Sequence, residues 1–494
     1  MSSKSRLLST FLLAAAIAGG CSEPAKTPPP ETASALPADR PGSPPRDAYE
    51  TFDVVWTTVD EKHFDPTHNG VDWEEVRTVY RPRIEDTRSG EEVRMVLLEM
   101  IRELGQSHFE IVPTARRRTG DGQTDSREDA SIENDEASLE IDEEDEDIVM
   151  SAEGYTGIRL ELDDEQIVVA HVEKGSTADL AGVRPGWRLL KIDDRDPTNR
   201  MSGMLKAVRE DDSHMASYYV YAGLNAMASG RPGDVLRIEF EDTDGEAVTR
   251  EIEVASKTGD TTDFMQLGPM TTKFTSRILS NEELRSLGCE TKDGDAPEIL
   301  LITFDNWMFP IMGPLRRAMD ENRDADGVVI DLRGNPGGAG GLAMGVAGFF
   351  LDEPLSLGDM KSRESTMHFR VNPQKVTLDG RIVEPFSRPL VILVDQGSAS
   401  TSEIFAGGMQ KLGRATVVGR RTAGAALPAH LIKLPNGDRF MYAVADFLGP
   451  DGETIEGVGV PPDREIPIDR ALLAQRRDPD LATAVEIILA EEPH

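Results

Sequence analysis

Pro389-Leu390-Val391-Ile392-Leu393-Val394-Asp395-Gln396-Gly397-Ser398-Ala399-Ser400-Thr401-Ser402-Glu403-Ile404 decides how this chain folds. Pro389 to Asp395 is an apolar run with the length of a strand, Gly397 to Ser400 is a turn of small residues, and Ser402 to Leu412 reads as a helix. The same pattern occurs upstream. Gly327 to Leu332 reads as a buried strand, Asp331-Leu332-Arg333-Gly334-Asn335-Pro336-Gly337-Gly338 as a glycine-rich junction, and Gly341 to Leu351 as an apolar helix. Glu298 to Phe304 and Thr416 to Gly419 add strands, and Pro314 to Asn322 adds a helix. This alternation predicts an α/β core with parallel strands within residues 257–494.

Both junctions stand at strand C-termini, where α/β sheets place their sites. Glycines after a strand let backbone N–H groups approach a ligand closely and point at an anion. A serine at such a turn sits where a helix N-terminus favours developing negative charge. Taken singly, the first junction also reads as a tight turn, and the second as an N-cap by Thr401 or Ser402.

Upstream of the core, residues 49–115 read as a helical region, with Phe52, Val55, Trp56 and Val59, then Val93, Val96, Leu97, Met100, Ile101 and Leu104, at helical spacing. His63 and His68 fall in a turn-rich stretch and read as surface residues rather than metal ligands. Residues 116–152 carry an acidic run, Glu133 to Asp147, which repels itself and reads as a disordered linker. In residues 153–256, Gly154 to Leu162 looks like a glycine-bearing loop entering a strand. Gly175 to Trp187 then reads as a short helix between turns, leading to the strand Leu189 to Ile192. These residues resemble a PDZ domain of the bacterial protease type, closed by a hairpin from Gly233 to Val254, with Met201 to Gly230 as an insertion. The resemblance implies a groove along Gly157, Ile158, Arg159 and Leu160 that accepts a peptide C-terminus as an added strand.

The first residues read as an address. Lys4 and Arg6 precede the apolar run Leu7 to Ile17, and Ala18-Gly19-Gly20-Cys21 ends in a cysteine, which resembles the lipobox of bacterial lipoproteins. Residues 1–20 are thus expected to be a signal peptide, Cys21 to be lipidated, and the Pro- and Ala-rich residues 21–48 to be a tether. Ser22 after the cysteine favours the outer membrane, facing the periplasm. A plain secretory signal is the alternative, and either reading exports the chain. The net charge of −36 and pI of about 4.6 argue against nucleic acid and anionic membranes as partners, leaving the lipid as the membrane contact. Cys289 is the one other cysteine, and no paired cysteines or His-Glu-x-x-His pattern suggests a metal. No organic cofactor is implied.

Together the two junctions resemble the C-terminal processing (tail-specific) serine peptidases, a family with a ClpP/crotonase-type α/β core and an inserted PDZ domain. The resemblance extends to Asp65-Pro66, Gly70-Val71-Asp72-Trp73, Glu456 to Asp463 and Asp478 to Leu489. It implies that Ser400 is the nucleophile and that the N–H groups of Thr401 and of Gly337 or Gly338 form the oxyanion hole. Many members pair the serine with a lysine downstream. Here the matching stretch is Thr422-Ala423-Gly424-Ala425-Ala426, and the lysine position is Ala425. An alanine takes no proton, and a serine without a base is a poor nucleophile. The family's tricorn-like branch uses a Ser-His dipeptide and a late glutamate instead. Ser107, His108 and Glu456 occupy the matching places, with Glu453 nearby and Lys433 as a relocated-base alternative. Histidine titrates near neutrality and can serve as base and then acid. The expected activity is an endopeptidase on exported polypeptides, recognised through their C-termini. The alternatives are an inactive ligand- or peptide-binding protein on the same fold and a PDZ-bearing scaffold.

Overall fold

Leu390 to Val394 are buried throughout because they form a central strand of a six-stranded sheet in the computed structural model. The structure describes residues 43–113, 154–163, 166–200, 205–206, 214–264, 269–289 and 297–490. The expected signal peptide, Cys21, most of the tether and the acidic linker lie outside them.

The N-terminal region comprises α1 (Ala48–Lys62), α2 (Trp73–Tyr80), α3 (Gly90–Arg102) and then a strand, β1 (Glu110–Val112). The next unit is an antiparallel sheet of β2 (Ile158–Asp163), β3 (Gln166–Val172), β4 (Arg188–Ile192), β5 (Val235–Glu241) and β6 (Ala247–Glu253), in sequence order. Helix α4 (His214–Met227) lies along β2. The stretch read as an insertion therefore contributes an integral helix: its Val220 and Leu224 are fully buried with Leu160, Val169 and Phe240.

The six-stranded sheet orders β7 (Phe274–Ile278), β8 (Ile299–Phe304), β9 (Gly327–Asp331), β10 (Leu390–Val394), β11 (Thr416–Gly419) and β12 (Arg464–Glu465). The first pair is antiparallel and the rest are parallel. Alternation assigns the faces. Ile302, Ile330 and Ile392 point to a core with α5 (Met312–Glu321), α6 (Gly341–Ala347) and α7 (Thr401–Lys411), which supply Leu315, Val346 and Phe405. Leu301, Val329, Val391 and Val418 point the other way, onto Leu481, Val485 and Ile488 of α8 (Pro479–Ala490). Because β9 and β10 are adjacent and parallel, both small-residue junctions emerge at the same edge of the sheet.

Two contacts seat the other units on this core. Strand β1 pairs with Arg439–Ala443, so the N-terminal region, expected to be helical, ends as a strand of a core hairpin. Between the inserted unit and the core lies a buried ionic cluster. Arg420 holds Glu161 of β2 at 2.7 Å and Asp480 at 2.9 Å, while Arg333 holds Asp331 at 2.7 Å, Asp478 at 2.8 Å and Asp480 at 2.9 Å. These cations and the hydrogen bonds they donate keep Asp331 and Asp478 well below the usual carboxylate range despite burial. Breaking one partner of a buried ion pair strands the other charge. Arg420→Met is therefore expected to cost about 3–5 kcal/mol, read as a lower urea midpoint.

Candidate active site

Three serines crowd the turn before α7, and their hydrogen bonds separate their roles. Ser398 Oγ donates to Leu332 O at 2.7 Å, and Ser402 Oγ donates to Asn335 O at 3.0 Å while accepting from Trp307 Nε1 at 2.9 Å. Both are fully buried and tie this turn to the glycine-rich junction. Ser400 is partly exposed and caps α7 together with Glu403 instead of bonding the glycine-rich junction. Its backbone sits at φ +53°, ψ −117°, a sparsely populated region for a residue with a Cβ. Such conformations cost about 1–3 kcal/mol and cluster at functional sites, here presenting the side chain at the mouth of a strand-to-helix turn.

The expected oxyanion donors fall into two groups. Gly337 N–H donates to Asn335 Oδ1 at 3.0 Å, so its proton is already engaged. The N–H groups of Gly338 and Thr401 have no acceptor among the described residues. Gly337 serves in another way: a Cβ there would lie 2.7 Å from Ser400 Cβ, so glycine lets the two loops touch. Asn335, fully buried, welds the junctions together by donating from Nδ2 to Phe304 O at 2.8 Å and accepting at its carbonyl from Ala399 N at 3.1 Å.

Glu403 carries a role that sequence reasoning missed. Its carboxylate, fully buried in the first turn of α7, accepts from Thr422 Oγ1 at 2.5 Å, Gly424 N at 2.8 Å, and Ala425 N and Ser400 N at 3.0 Å. Ser400 N also donates to Ala425 O at 2.8 Å. Burial pushes the Glu403 carboxyl up to about 7, and the four donors act in the opposite direction. The signal was present in the sequence as Ser-x-x-Glu, the capping-box spacing.

The second half of the site comes from the N-terminal region and the late motif. Glu456 accepts from Ser107 N at 2.7 Å, Ser107 Oγ at 2.9 Å and Ala426 N at 3.0 Å, and Ser107 Oγ lies 2.7 Å from His108 Nδ1. Ser107 has one hydroxyl proton, and the carboxylate takes it. Its oxygen is then the acceptor for Nδ1–H, which leaves Nε2 as the lone-pair nitrogen. That is the tautomer a general base needs. Burial pushes the His108 imidazole down to about 4 and the Glu456 carboxyl upward. His108 itself adopts φ +60°.

The structure thus joins Ser107, His108 and Glu456, and separately joins Ser400 to Glu403 and Ala425. The two groups meet at the consecutive residues Ala425 and Ala426. No hydrogen bond links His108 to Ser400. Glu453 makes no contact with Ser107, and Lys433 is exposed on the hairpin strand Ala429–Lys433. Of the expected groove residues, Gly157 has φ +84°, and Ile158 and Leu160 lie on β2. Arg159, however, turns into the ionic cluster, 3.5 Å from Glu161 and 3.6 Å from Asp395. His63 and His68 are buried rather than on the surface, because aromatic neighbours and backbone close over them.

The strain at Ser400 gives a stability test. Ser400→Gly, which accepts positive φ, should unfold at a higher urea midpoint than Ser400→Ala, by about 1 kcal/mol. Equal midpoints would show that the turn stores no strain.

Comparison with known proteins places these features. Residues 299–466 match peptidase family S41, and residues 44–102 match the tricorn protease C1 domain. The chain is 28% identical over 302 residues to carboxyl-terminal-processing peptidase 3, chloroplastic, of Arabidopsis thaliana, covering 60% of this chain and 50% of that one. It is 35% identical over 146 residues to a carboxyl-terminal-processing protease of Synechocystis sp., covering 30% and 32%. The chain therefore spans half or less of the length of these two relatives. Among solved structures, the photosystem II D1 C-terminal processing protease shares the fold with a TM-score of 0.52 at 18% identity, covering 88% of this chain and 98% of that one. The serine-bearing core and the helical region ahead of it thus each match a peptidase domain in its own right.

Proposed function

We propose that this chain is a serine endopeptidase that cleaves exported polypeptides. Ser400 Oγ attacks the scissile carbonyl, and His108 Nε2 takes its proton and returns it to the leaving amine. The N–H groups of Thr401 and Gly338 receive the oxyanion, and water activated by His108 resolves the acyl-enzyme. Ser107 and Glu456 hold the imidazole, as the third member of a triad does. One observation carries this reading above the others: the Glu456–Ser107–His108 relay leaves Nε2 unprotonated, and Glu456 ties the relay to Ala426 N, next to Ala425, where no lysine stands. His108 and Ser400 are not hydrogen-bonded to each other, and catalytic contacts of this kind often tighten only when substrate binds.

The unit at residues 154–256 is proposed to be a PDZ domain that captures polypeptide C-termini between β2 and α4 and gates the site. Asn225 of α4 accepts from Leu160 N at 2.9 Å and donates to Leu160 O at 2.9 Å, using the edge groups that an added strand would take. The same helix packs Tyr218 against Ala399, Ala423 and Ala425, and sets Tyr221 against Gly397, where a Cβ would lie 2.2 Å from the ring. A peptide entering along β2 displaces Asn225 and shifts the helix that covers both catalytic loops. The N-terminal sequence supports export and anchoring through a lipidated Cys21, with an outer-membrane, periplasm-facing location. An unmodified Cys21 in the mass of the mature N-terminus would refute the anchor.

The decisive experiment is labelling with a fluorophosphonate probe. Label is expected on Ser400, abolished in Ser400→Ala and slowed about 10²–10⁴-fold in His108→Ala. An unchanged rate in His108→Ala would remove histidine as the base, and absence of label in the unmodified chain would favour an inactive binding protein. Because the imidazole titrates near 4, labelling should rise with pH through about 4 and be level by pH 6. A midpoint at the ordinary histidine value, about 6.5, would contradict the burial argument. Asn225→Ala, which frees the β2 edge and loosens α4, should accelerate labelling of Ser400. A slower rate would contradict the gate.

A further inference from the structure

His63 lies far in sequence from the proposed catalytic residues, yet it grips the chain on both sides of Ser107-His108. On one side its Nε2 is 2.8 Å from Gln106 Oε1. On the other its ring stacks on Phe109, with centroids 5.4 Å apart and planes 9° from parallel. The imidazole is fully buried, and burial holds it below its ordinary pKa, hence neutral. Asp65 offers Nδ1 both its N–H, at 3.0 Å, and its carbonyl, at 2.9 Å, but Gln106 Oε1 can only accept, so Nε2 carries the proton and donates it there.

His63 is itself firmly anchored. It terminates α1, its N–H bonding Val59 O at 3.0 Å, and the Arg363 guanidinium donates to its carbonyl and, at 3.1 Å, to Asp60 O. The segment it grips needs such support. Gly105 and His108 both have positive φ, at +61° and +60°, and a non-glycine residue keeps that conformation only where its surroundings impose it. Asn69 Nδ2 adds a bond to Leu104 O at 2.8 Å from the same turn.

We propose that His63 is a positioning residue for His108, fixing the Ser-His dipeptide through the Gln106 hydrogen bond and the Phe109 stack. This rests on the reading of His108 as the general base. A misplacement of about 1 Å at a reacting group can lower a rate about 10²-fold, so the clamp acts on turnover of the bound state, not on affinity.

The test measures kinact and KI for the fluorophosphonate on the full chain, with unfolding midpoints in parallel. His63→Phe keeps an aromatic stack and loses the hydrogen bond, and Gln106→Ala loses the same bond from a half-buried position that threatens folding less. Each is expected to lower kinact about 10–100-fold with KI unchanged, and the double variant should be no slower than the worse single. Gln106→Glu, which keeps an acceptor for Nε2–H, should retain most of kinact. Unchanged kinact in Gln106→Ala, multiplicative losses in the double variant, or a loss that appears in KI would each overturn the proposal. The His108→Ala control separates the two readings. If it too labels at the normal rate, the base assignment fails. If it is slow while Gln106→Ala is not, the clamp alone fails.

Discussion

The carboxylate of Glu403 is the constraint on which the geometry around Ser400 depends. A buried carboxylate with no cation beside it is costly unless its oxygens are satisfied, and here four donors from two segments converge on it. Three of them are backbone N–H groups, which can only donate, so the carboxylate fixes the conformation of the Thr422–Ala425 loop against the Ser400 turn. Val460 N, donating to Thr422 Oγ1 at 2.7 Å, orients that hydroxyl and draws in the loop after Glu456. One side chain thereby sets the relative positions of the proposed nucleophile, the loop facing it and the start of the late motif.

Two further ties make the constraint effective. Asn335 and the hydroxyls of Ser398 and Ser402 bind the glycine-rich junction to the serine turn, and Asp395 accepts from Gly334 N at 2.8 Å and Gly397 N at 2.9 Å, one glycine from each. Both junctions are therefore one rigid object, which is what permits Ser400 to hold an unfavourable φ/ψ. The positive charge around Asp395 comes partly from Arg159 of the inserted unit, whose Nε finds no hydrogen-bond partner. That contact is loose beside the grip of Arg420 on Glu161 and Asp480, and another tie to the serine turn, from Gln396 Nε2 to Leu162 O, is long at 3.4 Å.

The sheet was legible because its information is local. Continuous apolar runs and the small residues that end them identify β8 to β11 within a residue or two, and the parallel order follows from the intervening helices. At the serine turn the sequence marks the stretch, and the structure separates Ser400 from Ser398 and Ser402, which are bound to the glycine-rich junction. What escaped the sequence depends on partners far along the chain. His63 reads as a polar residue in a turn until Gln106, 43 positions later, is seen to accept its proton. Arg159 reads as part of a groove until Asp395 and Glu161 are seen beneath it. Helix α4 reads as an insertion because its apolar stripe is short and its role, covering the edge of β2, is tertiary. Gly337 and Gly338 cannot be told apart as donors by spacing, and a single Asx-type bond from Asn335 distinguishes them.

Ala425 offers no base on the loop that Glu403 holds, which bears on the mechanism proposed above. A lysine at that position would approach Ser400 from the loop that Glu403 already holds, so nucleophile and base would share one rigid support. The proposed base, His108, stands instead just ahead of the strand that links the N-terminal helices to the hairpin at Arg439–Ala443. Its alignment then depends on everything that seats those helices: the His63 bracket, the Arg363 cap, the Arg94 ion pair to Asp438 at 3.2 Å, and the shared core of Leu97, Met100 and Phe440. Glu456 touches both supports, bonding Ser107 on one and Ala426 on the other. A base carried on a separate support can be brought into line or withdrawn by small shifts between the two. The proposed base and nucleophile thus stand on separate supports, and the contacts between those supports set how they align.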